Sequence, residues 1–246
     1  MLYLANPRGI DRESQRAALD AIHRLNDLAL EATGDPEIAS RISAYELAFR
    51  MQTAAPEFMD ISGESEATLA MYGVNQDEPA IKASRGGGPG QCPAYAKNCL
   101  LARRLIERGI RFVNIVHASW DHHSNLDNEL TFNAGMADQP IAALIKDLKQ
   151  RGLLDETLIV VAGEFGRTPL GENRGGSKNV TGRDHHPFAF SILVADGGLQ
   201  GGLTYGETDE IGWNITIYSF HINAFHTTPL HLFGLDHLRL THRFQG

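Results

Sequence analysis

Apolar residues recur at three- and four-residue steps through the first hundred positions. Leu19, Ile22, Leu25 and Ala29 make one such stripe, which predicts a helix with a single buried face. Asp35-Pro36-Glu37 reads as the start of the next helix, because Asp caps, Pro suits the first turn and Glu favours the positive end. Ile38, Ile42, Tyr45 and Phe49 carry its apolar face to Pro56. A shorter helix is expected from Glu64 to Tyr72, ended by Gly73. Gln76 to Gln91, with "SRGGGPGQ", reads as a flexible connector whose glycine spacing fits neither a phosphate loop nor a dinucleotide fingerprint.

From Tyr95 the pattern changes. Tyr95, Cys99, Ala102 and Ile106 form a helical stripe closed by Gly109, and Ile141, Leu144, Ile145 and Leu148 mark another stopped by Gly152. Between them, "RFVNIVH" (Arg111 to His117) predicts a buried strand followed by a polar loop through Asn128. "TLIVVAG" (Thr157 to Gly163) and "FAFSILVA" (Phe188 to Ala195) predict two more strands, and Ile222 to Gly234 a last helix. Strand, helix, strand at these lengths implies a βαβ unit and a parallel sheet covered on both faces. The expectation is an α/β fold, with 1–91 as a helical N-terminal part of the same domain and 92–246 as the core.

Composition narrows the function. The chain has 246 residues, 42% hydrophobic and 21% charged, so it can bury a real core and is not a disordered sequence. A net charge of −8 argues against a general nucleic-acid binder. No apolar run is long enough for a membrane span, and two cysteines make neither a disulfide framework nor a thiolate zinc cluster. The start lacks the positive and apolar regions of a secretory signal and reads like the middle of a larger protein, so localisation is left open.

The 11 histidines are the unusual feature. In a parallel sheet, ligands collect beyond the carboxyl ends of strands. Trp120, Asp121, His122, His123 and Asn125 follow the first strand; Glu164, Phe165, Gly166, Arg167 and Thr168 follow the second. Arg183, Asp184, His185 and His186 precede the third, and His226 opens the last helix. Carboxylates and imidazoles from separate loops suit a zinc, manganese or mixed dinuclear site. Each has a plainer reading: Asp121-His122-His123 as a solvated loop, Glu164 with Arg167 as a loop-locking ion pair, and His226 beside His221 and His231 as an exposed or satisfied histidine. His117, His237 and His242 read as structural or surface residues, and Cys99 as core.

"RGLLDETLIVVAGEFGRTP", "GRDHHPFAFSILVADGGLQGG" and "HTTPLHLFGLDHLRLTHRFQG" closely resemble an uncharacterised bacterial family of sulfatase-like proteins in the alkaline phosphatase/sulfatase/phosphoglycerate mutase superfamily. "AYELAFRMQTAAPE" and "NCLLARRLIERGIRFVNI" extend the likeness over nearly the whole chain. The resemblance implies a three-layer sandwich with a mostly parallel sheet, lacking the first segment of the full fold, and an exported or periplasmic protein if the chain is a fragment. It also implies metal ligands at Asp121, His123, Glu164, Asp184 and His185. Phe165 departs from the pattern where an imidazole is expected, and His226 or His186 would compensate. Cys92-Pro93 does not continue into the sulfatase signature, since Ala94 and Ala96 follow, so the nucleophile is unassigned.

The function implied is a metal-dependent hydrolase of small-molecule or saccharide sulfate or phosphate esters. One or two zinc, manganese or calcium ions would be held by Asp121, His123, Glu164, Asp184, His185 and His226, and the substrate by Arg167, Thr168 and Arg183, with Arg174 in the same basic pocket. The rival is an inactive or truncated member acting as a binding or structural protein, for which Phe165 and the missing nucleophile speak.

Overall fold

The computed structural model describes residues 6, 8–78, 90–172 and 181–241. Most of the glycine-rich connector, Arg174 and His242 therefore lie outside the described residues. The chain divides into two compact units, Met1–Glu64 and Ser65–Gly246.

The first unit is a helical hairpin. Helix α1 (Arg12–Thr33) begins where the Asp11 carboxylate accepts from the Ser14 N–H at 2.8 Å, and it ends at Gly34 in the left-handed conformation. Helix α2 (Pro36–Met59) starts as expected, with Asp35 accepting from the Glu37 N–H at 2.9 Å, and runs on through Pro56. Arg16 joins the two helices, donating to both carboxylate oxygens of Glu46 while stacking on Phe49.

In the second unit, α3 (Glu66–Tyr72), α4 (Gln91–Glu107) and α5 (Leu126–Gln150) enclose the core. Cys99, Leu100, Phe132, Met136, Leu144 and Leu148 are buried there. Helix α5 begins inside the expected polar loop and is much longer than the Ile141–Leu148 stripe. Its first turns carry buried Glu129 and Asn133, polar residues that conceal the apolar period. Asp147 is 3% exposed and sits among cations: Arg103 Nε lies 2.9 Å and Arg151 Nε 2.7 Å from its oxygens, and the Tyr72 hydroxyl donates at 3.1 Å. That network ties α3, α4 and α5 through one carboxylate.

The sheet structure corrects the sequence reading. Among the described residues there are six strands in three antiparallel pairs and no parallel sheet. Strand β1 (Ile159–Val161) pairs antiparallel with β4 (Leu193–Ala195), so the expected second and third strands are neighbours of opposite direction. Arg111–His117 forms no strand, with Phe112 75% and Val116 81% exposed. The described residues therefore contain no βαβ unit and no three-layer parallel sandwich. The physical reason is that an apolar run favours extended backbone without choosing a neighbour or a direction. The remaining pairs are β2 (Gly166–Glu172) with β3 (Gly182–His186), and β5 (Glu207–Thr208) with β6 (Ile215–Ile217). Helix α6 (Ile222–Leu232) closes the described fold.

Candidate metal centre

The β2–β3 pair and the loop before α5 build the site. Strand β3 lies opposite β2 in the register Arg167↔His185 and Glu172↔Gly182, with an irregularity between Arg167 and Gly171. Pro169, which has no N–H for a ladder, falls in that irregular stretch. The loop 119–125 docks against the start of β3. Arg183 N–H donates to the His122 carbonyl at 2.9 Å, and Leu126 N–H to the Thr181 carbonyl at 2.8 Å. A side chain at Gly182 would collide with this loop, since its Cβ would stand 2.0 Å from the backbone C and O of His123. Ser119 and Asn125 bracket the loop with positive φ of 78° and 53°. Asn133 holds it from behind, its amide donating to the Ser119 carbonyl at 2.6 Å and to His122 Nε2 at 3.0 Å.

Three donor atoms converge as a result. Asp121 Oδ1 is 2.8 Å from His123 Nε2 and 2.7 Å from His185 Nε2, and the two imidazole nitrogens are 3.2 Å apart. Ligand atoms sharing a divalent ion at about 2.0–2.2 Å stand about 2.9–3.5 Å apart, so a small outward adjustment of this triangle admits the ion. His123 is buried, with its side chain 5% exposed, whereas the side chains of Asp121 and His185 are 47% and 43% exposed. The triangle thus has an anchored corner and a side open to solvent. Bonding to His185 holds the Asp121 carboxyl below the usual carboxylate range.

A second set shares His123: its donor atoms and those of Glu172 and Asp184 lie within 4.8 Å of one another. Glu172 Oε2 is 2.5 Å from His123 Nδ1, on the ring edge away from the triangle. Glu172 has no signal in the sequence pattern; its place is fixed by the strand register opposite Gly182.

The other expected residues fall around this centre. Glu164 pairs with Arg167 at 2.8 Å, and its carboxyl titrates low chiefly through a local backbone hydrogen bond, then through Arg167. Arg167 Nη2 lies 3.8 Å from Asp121 Oδ1, while its guanidinium also donates to the Phe165, Gly166 and Trp120 carbonyls. Phe165 packs its ring on His185, centroids 4.5 Å apart, and the Arg167 guanidinium lies over the Phe165 ring, 5.0 Å from its centroid. Thr168 Oγ1 accepts from the Asp184 N–H at 3.1 Å and donates to the Leu170 carbonyl at 2.8 Å. Arg183 Nη1 donates to the Gly182 carbonyl. His186 is buried against Phe188 and Trp213 and bonds the Trp213 carbonyl. His226 is exposed on α6 beside Phe225 and belongs to neither donor group.

The family model for proteins of unknown function designated DUF1501 matches residues 1–246. The chain belongs to that family. No curated protein and no solved structure matches it. The matched family is DUF1501 and not a sulfatase or alkaline phosphatase family, which overturns the resemblance read from the sequence motifs. Roles borrowed through that resemblance lapse with it, and the DUF1501 chain is left with what its own geometry supports: two donor groups that could hold a metal, sharing His123. Among its described residues no helix is long and apolar enough to cross a membrane.

Proposed function

We propose that this protein is a metal-dependent hydrolase of small sulfate or phosphate esters, with Asp121, His123 and His185 holding one divalent ion, zinc or manganese. The observation that carries the reading is the mutual approach of Asp121 Oδ1, His123 Nε2 and His185 Nε2 within 3.2 Å. Three lone-pair-bearing atoms at that spacing repel unless protons or a cation lie between them, and one cation serves all three. Two nitrogens and one oxygen match zinc and manganese better than calcium, which prefers oxygen. A bound ion of this kind supplies Lewis acidity and lowers the pKa of water.

The protein's own groups then have distinct tasks. His123 is the rigid ligand, locked by burial, while His185 and Asp121 leave the solvent side open for an ester. Phe165 fixes the His185 ring. Arg167, beside Asp121, brings a fixed positive charge that favours an anionic group. Asp184 stands in the second donor group next to His123, suited to hold a water at the edge of the site.

The second reading, a metal-binding scaffold without turnover, is favoured by the commitment of Arg167 to Glu164 and three carbonyls. Elemental analysis of protein purified without chelator or histidine tag, followed by aryl phosphate and aryl sulfate assays, separates the two. About one equivalent of zinc or manganese is expected, lost in His185→Ala, with turnover that follows metal content. Metal without turnover selects the scaffold, and no metal in the wild-type chain refutes both.

A further inference from the structure

Glu172 approaches His123 from the side opposite the converging donors. Its Oε2 stands 2.5 Å from Nδ1, a hydrogen-bond separation and too short for two ligands of one ion at about 2.0–2.2 Å each. Both partners are sequestered, with side chains 5% and 11% exposed, so water does not compete strongly for the contact. A carboxylate accepts, hence Nδ1 carries the proton, and with an ion among the three donors Nε2 is the nitrogen left to offer its lone pair beside Asp121 and His185. Backbone packing fixes the arrangement from below: Glu172 is opposite Gly182 in the ladder, and Gly182 lies directly against the His123 main chain.

We infer that Glu172 is a positioning residue, which sets the Nδ1–H tautomer of His123 and so makes Nε2 the metal-binding nitrogen. The inference rests on the metal centre proposed above. A histidine ligand held through its other nitrogen by a carboxylate is more basic and better oriented, and loss of such a partner commonly weakens metal binding about 10–100-fold. Glu172 is thereby assigned as a supporting carboxylate rather than a ligand of its own ion.

The test uses the full chain with ¹⁵N-labelled histidine and the variants Glu172→Gln, Glu172→Asp and Glu172→Ala. Long-range ¹H–¹⁵N spectra of the metal-free protein, with His123→Asn locating the resonance, are expected to give the Nδ1–H tautomer in the wild type and its loss in Glu172→Ala. Zinc affinity, read by competition with a chromophoric chelator, is expected to fall about 10–100-fold in Glu172→Ala and less in Glu172→Gln. Glu172→Asp should recover part of both signals, which a merely structural loss would not do. Glu172→Gln keeps the volume of the side chain and preserves the test if the alanine variant fails to fold. A wild-type Nε2–H tautomer, or unchanged affinity in both neutral variants, overturns the inference. So does a second zinc lost selectively from the Glu172 variants, which would make the residue a ligand. Failure of the wild type itself to bind zinc overturns the metal centre as well, and is recognised because it precedes any substitution.

Discussion

Gly182→Ala tests how the ligand loop is held. The new methyl would lie 2.0 Å from the carbonyl carbon and oxygen of His123 and 2.6 Å from the Ser124 nitrogen, all backbone atoms with no rotamer to escape into. Ordinary contact begins near 3.4 Å, so β3 and the loop must part by 3.4 − 2.0, about 1.4 Å. Two backbone hydrogen bonds span that gap, Arg183 to His122 at 2.9 Å and Leu126 to Thr181 at 2.8 Å, and neither survives such an opening. Overpacking costs about 1–3 kcal/mol and each bond about 1 kcal/mol, so a total near 3–5 kcal/mol is expected. Urea unfolding followed by circular dichroism reads that loss as a lower midpoint. The same opening pulls Asp121 and His123 away from His185, so zinc affinity should fall by at least about 100-fold, beyond the loss of a supporting contact. Gly135→Ala is the control, since nothing lies within 4 Å of its added methyl. It should stabilise α5 by about 0.5–1 kcal/mol. A Gly182→Ala protein with wild-type stability and zinc affinity would refute the docking of loop 119–125 on β3.

Other consequences can be measured directly. Asp147→Ala strips buried Arg103 of one of its two carboxylates, with Glu107 Oε2 remaining at 2.6 Å, and removes the acceptor of Tyr72 and Arg151. It should destabilise the protein by about 1.5–3 kcal/mol in urea unfolding, and a loss under about 1 kcal/mol would mean the network is dispensable. Burial lowers the His122 pKa, so the stability it contributes is complete above about pH 6.5 and declines as pH falls toward the lower folded value. His122→Gln should flatten that acid slope, and an unchanged slope would exclude His122 as its source. Burial pushes the Cys99 thiol up to about 12, so a disulfide reagent at pH 8 should label Cys92 first and reach Cys99 only on unfolding. Equal labelling rates in the native protein would contradict the packing of Cys99.

The helices were legible wherever their ends carry local chemistry. Asp35 and Gly73 stop and start chain segments through bonds within a few residues, and those bonds are made as expected. Strand partners were not legible, because Val160 meets Val194 across a distance that no local pattern encodes. The same separation governs the site. Asp121 and His123 stood out in a polar loop and His185 in a Gly/Arg-rich stretch, as carboxylate and imidazoles, and they do converge. Glu164 carried two readings in sequence, metal ligand or ion pair with Arg167, and the ion pair is the one formed, between residues three apart. Glu172 could be found only through the register of β2 on β3, where an irregularity at Arg167–Gly171 shifts which residues face the loop.

Asp121 and His185 are 64 positions apart along the chain. An ion held by both would act as a cross-link closing a ring that contains all of α5, β1 and β2. For a ring of that length the chain-closure term, (3/2)RT ln n, is about 3.7 kcal/mol, a restriction imposed on the unfolded chain more than on the native one. The centre would then be a clasp as well as a site of chemistry. Chelation should lower the thermal midpoint even where no substrate is turned over, and a protein stripped of its ion should lose cohesion first between the loop at Asp121 and the strand at His185.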